Sequence, residues 1–185
     1  SFLFNILAAQ QLVGIADPAA IPTFIKALYF FDINNPAMRM NDVATSGLVA
    51  IGRPALDPLL KVLRGEDEEA NAIVKLYIEA IKQKDADAAR KLDARTIISN
   101  EAAFTLGKLG FRDALDALIE ETKAADKTRA MGAALALVSV VRQPDDTAKI
   151  TEALQRVYKA ADMPQRPQLL VAMRHLYAPE LLSFL

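Results

Sequence analysis

Several residue types on which chemistry depends are missing or nearly so. There is no cysteine among the 185 residues, so disulfides and thiolate metal sites are excluded. The compartment stays open, because exported proteins also do without cysteine. The one histidine, His175, cannot build a multi-histidine metal site, and no Ser–His–Asp relay can be assigned around it. Beside Arg174 on an apolar helix, it reads as a surface or groove residue with a local hydrogen bond. Tryptophan is absent and aromatics make up 6%. The formal net charge is −1, and Lys and Arg are scattered among acids. Such a balance creates no field for polyanions, so nucleic acid is not an expected partner. No apolar run is long enough to cross a bilayer, so no membrane span is expected in this segment.

The few candidate motifs dissolve on inspection. Gly107 and Gly110 punctuate a helix end; no strand precedes them and no Gly-Lys-Ser/Thr follows, so they are not a phosphate loop. The acidic run Glu66 to Glu69 lacks the alternating oxygen ligands and central glycine of a calcium loop, and reads as a solvated helix start. Asp145 and Asp146 read as helix caps. No cofactor is expected, and there is no catalytic constellation.

What is present is helix-forming and apolar. Hydrophobic residues make up 52% and charged residues 24%, which is too apolar for disorder. The chain is organised around residues 44–63, ATSGLVAIGRPALDPLLKVL. Ala44, Leu48 and Ile51 share one helical face. Gly52 can end that helix with positive φ, and Pro54 suits the first turn of the next. Leu56, Leu59, Leu60 and Leu63 stripe the second helix, and Pro58 requires it to start close to Leu56. Stripes on helices this short close no core alone and need neighbours on both sides.

Other helices follow by the same signals: 1–16, 17–31, 38–51, 70–83, 86–94, 96–109, 113–125, 127–141, 145–160 and 168–177, with Pro179 opening a last one. Asp17 is an expected N-cap and DINNP, at 32–36, an expected turn. No strand signal of useful length occurs. Among the aromatics at 29–31, Phe31 follows Leu28 by three and Phe24 by seven, which assigns it to the core; Phe30 falls on the opposite side. Leu48, Ile51, Leu106 and Leu109 are expected to be buried between units.

The pattern A-x-x-x-L-x-x-I-G, a short corner, then P-x-L-x-x-L-L-x-x-L resembles a HEAT repeat. The closest flavour is the short bacterial one named after phycobilisome lyases. A second copy is AAFTLGKLGFRDALDALIEE from Ala102, and a third AAQQLVGIADPAAIPTFIKAL from Ala8. Weaker copies start at Ala133 and Leu169. The resemblance implies an all-α, right-handed α-solenoid of about five to six antiparallel helix pairs. Residues 1–185 would be a single HEAT-like segment. Matched leucines at 48 and 106 are 58 apart, close to two short repeats, so 66–94 is taken as a degenerate repeat rather than an insertion. The chain starts at Ser1, not Met, and ends in mid-pattern, with apolar Phe2, Phe4, Leu181, Leu182, Phe184 and Leu185 at its ends. A fragment of a longer protein is expected, with further repeats or another subunit over those ends.

For function, the resemblance implies a non-catalytic protein–protein interaction scaffold whose second helices line a concave partner surface. The alternative is a lyase-type HEAT enzyme or accessory acting on a chromoprotein or other protein substrate. Aligning the second helices sets Lys26 against Lys61, with Phe30 and Arg64 one turn beyond. These four are the expected protein-binding residues, a basic and aromatic patch for an acidic or phosphorylated segment, with Asp57 partly neutralising Lys61. The other reading of the four is an ordinary solvated face, with Phe30 packed under the DINNP loop.

Overall fold

The computed structural model describes residues 2–31, 39–140, 142–174 and 176, with side chains from Asn5 onward. Among these residues the chain is all-α: eleven α-helices, no strand, and one isolated bridge between Phe31 and Arg39. No helix among them is long and apolar enough to cross a membrane. The DINNP turn, His175, the helix expected from Pro179, and Leu181, Leu182, Phe184 and Leu185 lie outside the described residues, as do the side chains of Phe2 and Phe4.

In chain order the helices are α1 (Phe2–Ile15), α2 (Ile21–Leu28), α3 (Asn41–Ile51), α4 (Leu56–Arg64), α5 (Glu68–Lys84) and α6 (Ala86–Arg90). There follow α7 (Ala94–Leu109), α8 (Leu115–Glu121), α9 (Lys127–Leu137), α10 (Asp146–Ala160) and α11 (Arg166–Arg174). Aspartates open many of them. The Asp67 carboxylate accepts from the Ala70 N–H at 2.8 Å, Asp93 from Thr96 at 2.7 Å and Asp126 from Arg129 at 2.8 Å. Each satisfies an N–H that the first helical turn leaves unpaired. Gly52, Gly65 and Gly110 end α3, α4 and α7 at positive φ.

Three corners are tighter than expected. Pro18–Ala20, Arg53–Ala55 and Arg112–Ala114 each form one 3₁₀ turn before the α-helix proper. Pro54 therefore sits in that turn, and α4 begins at Leu56 as Pro58 requires. The expected helix over 113–125 divides into such a turn and the shorter α8. Asp17 caps the first of these turns, accepting from the Ala19 N–H at 2.8 Å.

The helix expected to reach Phe31 stops at Leu28, and this reassigns the aromatics. Once the helix ends, the spacing from Phe24 no longer governs residues 29–31. Tyr29 becomes the buried ring, 1% exposed, with its hydroxyl donating to the Ile98 carbonyl at 3.0 Å. Phe31 is only partly buried and lies against Tyr77 of α5, ring centroids 4.8 Å apart.

Leu48, Leu106 and Leu137 are fully buried, Met173 nearly so. Ile51 and Leu109 are only partly buried, because each is the last residue of its helix, beside a glycine cap that opens to solvent. Through these residues α1 packs on α3, α3 on α7, α7 on α9 and α9 on α11. Thr45 and Thr105 share a 3.0 Å hydroxyl hydrogen bond, and the Asn41 amide donates to Glu101 at 3.2 Å. Helices α3 and α7 are thus direct neighbours. Helix α5 lies against α2 and α7, and α6 against α5.

Candidate protein-binding surface

Two adjoining grooves contain three of the four expected residues. The first, about 260 Å³, runs between α1 and α2 over Ala8, Leu12, Phe24 and Ala27, with Lys26 and Phe30 on its wall. Phe30 is 45% exposed there. The second, about 460 Å³, lies between α2, α4 and the start of α5, over Ile21, Ile25 and Pro58. Lys61 lines it with Asp57, Asp67 and Glu69. Lys26 lines only the first groove, but its ammonium reaches Glu69 of the second at 3.0 Å and so links the two. Arg64 is exposed at the end of α4 and lines neither groove.

The local sequence explains this placement. Gly65 turns the chain sharply after α4, and the acidic start of α5 then comes back beside α2. Asp67 is there as the N-cap of α5, and Glu69 sits in its first turn, where the helix dipole favours acids. The carboxylates of Asp57, Asp67 and Glu69 share the groove with Lys61, so the surface is of mixed charge rather than basic. Sequence alignment of the second helices could not show this, because two of the three acids come from another helix.

A polar cluster elsewhere went unseen in the sequence. Glu121, at the end of α8, accepts from Arg129 at 2.7 and 2.9 Å, from Arg95 at 3.4 Å and from the Ser99 hydroxyl. Arg95 also donates to the Leu63 carbonyl at 2.6 Å, and desolvation lowers the pKa of its guanidinium despite the nearby Glu121. Ser99 is fully buried and the Glu121 side chain is 11% exposed, so the cluster lies within the packed interior of these helices. The cluster joins α4, α7, α8 and α9. Glu101 is likewise structural: burial raises its carboxyl, and the Asn41 hydrogen bond offsets part of that shift.

Two corner ion pairs complete the picture. Arg53 clasps Asp113 with both guanidinium arms at 2.7 and 2.8 Å. Arg112, the residue before Asp113, holds Asp146 side-on through Nε and one terminal nitrogen, both at 2.7 Å. Asp146 also accepts from the Gln143 N–H at 2.8 Å, whereas Asp145 makes no capping bond through its side chain. The cap expected of both aspartates is thus a joint made by one. Among the described residues the chain is all-α, and no group of three or more His, Asp or Glu that could hold a metal ion occurs. No protein-family profile matches the chain, and no curated protein matches its sequence.

Proposed function

We propose that the chain is a HEAT-like α-solenoid acting as a non-catalytic protein–protein interaction scaffold. The observation that supports it is the repeated corner joint. Arg53–Asp113 and Arg112–Asp146 are both two-bond arginine–aspartate pairs that tie one corner to the next, over cores centred on Leu48, Leu106 and Leu137, although they differ in donor atoms and in exposure. Repetition of one joint is how a solenoid extends and how it presents a long surface to a partner. Residues 66–94, expected to be a degenerate repeat, pack against α2 and α7 through α5, while α3 also touches α7 directly; in this reading they are a degenerate unit set beside the stack.

The binding surface is the pair of grooves on α2 and α4. A partner's apolar side chain enters beside Phe30, and Lys26, Glu69 and Lys61 form a mixed-charge rim that fixes orientation. Arg64 extends that rim at the end of α4. Affinity capture with the intact chain, mass spectrometry, and titration of the purified partner test this. Phe30→Ala should weaken the purified complex by about 1–2 kcal/mol, the effect of losing an aromatic anchor. Lys26→Glu with Lys61→Glu should slow association and change its salt dependence, leaving thermal stability nearly unaltered. Wild-type affinity and rates in both variants would move the binding surface elsewhere.

A further inference from the structure

A second cavity, remote in sequence from those grooves, has a different character. It encloses about 310 Å³ between the end of α8, the start of α9 and the last turns of α10. Among the described residues its charged lining is Lys123, Lys127 and Arg156, with no carboxylate. The rest of the wall is mostly alanine, with Val157 and the hydroxyl residue Thr122. Each cation has a counter-ion outside the cavity: Glu120 for Lys123 at 2.6 Å, Asp162 for Lys127 at 2.6 Å, and Glu152 for Arg156 at 3.8 Å.

Arg156 is the informative member. One guanidinium arm donates to the Thr122 hydroxyl at 3.3 Å, and that hydroxyl donates onward to the Ile119 carbonyl at 2.6 Å. The contact with Glu152 is beyond hydrogen-bond length, and the buried Nε–H has no acceptor. A guanidinium offers five donors in a planar fork, and this one satisfies few of them. The two lysine pairs are exposed, and exposed pairs of this kind contribute little and exchange readily. An anion in the cavity can therefore recruit all three cations without breaking a buried bond.

We propose that this cavity binds a phosphomonoester, its phosphoryl oxygens held by Arg156 with Lys123 and Lys127. A phosphoryl head carries about −1.5 to −2 charges and three acceptor oxygens, which suits a cavity with three cationic side chains in its wall better than one carboxylate does. The alanine wall accommodates an apolar ester group, and the volume lies at the small end of ligand cavities. The proposal does not depend on the scaffold reading, since it concerns a small ligand and a different face.

Phenyl phosphate and a short phosphotyrosine peptide, titrated into the ¹⁵N-labelled chain, test it and separate a free ester from a modified side chain. Saturable shifts should centre on the amides of residues 122–127. The tighter of the two probes identifies the source. Arg156→Gln should weaken binding about tenfold or more, the effect of losing a charge-assisted contact. Lys123→Gln with Lys127→Gln, both at exposed positions, should weaken it as well while the melting curve stays that of wild type. Absence of saturable shifts up to about 10 mM of either probe would overturn the proposal. So would wild-type affinity in both variants, or acetate binding as tightly as phenyl phosphate.

Discussion

Asp146 shows what a single residue decides. Its side chain is 2% exposed, clasped by Arg112 and bonded by the Gln143 N–H. The Arg112 hydrogen bonds first, then the backbone N–H, hold its carboxyl down from 3.8 to about 2. The folded chain thus resists protonation that the unfolded chain accepts. The stability carried by this group is present above about pH 4 and is lost as pH falls through about 2. Asp146→Asn should lower the denaturant midpoint at neutral pH, and the gap from wild type should close as the solution is acidified towards pH 2. Denaturant titrations at stepped pH measure this. A gap that stays constant to pH 2 would show that the Arg112 joint contributes nothing through charge. Glu101 has the opposite sign, since burial raises its carboxyl and ionisation on going to neutral pH opposes folding.

At the scale of elements, the closeness of α7 to α9 depends on Gly107. This glycine lies within α7 and is a packing residue rather than the punctuation its sequence position suggested; Gly110 alone caps the helix. A Cβ at 107 would stand 3.0 Å from the Ala136 Cα and 3.2 Å from its carbonyl oxygen, both parts of α9 that cannot rotate away. Gly107→Val should destabilise the chain by about 1–3 kcal/mol or more through overpacking, even though valine forms helix better than glycine. Thermal or denaturant unfolding would read the loss. A neutral or stabilising result would mean that α7 and α9 separate freely. Helix propensity alone would have ranked this substitution the other way.

At the scale of the molecule, the question is how residues 66–94 relate to the rest. Arg95 donates to the Leu63 carbonyl and lies against Gly65, so the two ends of the segment meet. Segments with adjoining ends can be removed with little loss of loop entropy. Replacing 66–93 by a short Gly/Ser linker should leave a chain that unfolds cooperatively, with helicity reduced by about the content of α5 and α6. Its midpoint should be lower, because Ala70 and Val74 of α5 are fully buried. Circular dichroism melting measures both effects. Loss of the cooperative transition would make 66–94 part of the stack itself.

The sequence by itself determined the helical class, the positions of the corners, and the leucines that centre the core. These depend on signals within a few residues: the 3.6-residue apolar period, aspartate before a helix, glycine after one, proline in a first turn. Three of the four residues expected from it, Lys26, Phe30 and Lys61, lie along the two grooves, and Arg64 does not. Only the tertiary structure decided that Tyr29 is the buried ring, with its acceptor on α7. It alone brought Asp67 and Glu69 beside Lys61, joined Glu121 to two arginines, and matched Arg53 with Asp113, 60 residues away. The reason is range. A helical face is set by neighbours three and four residues along, whereas these partners meet only because packed helices bring distant stretches together.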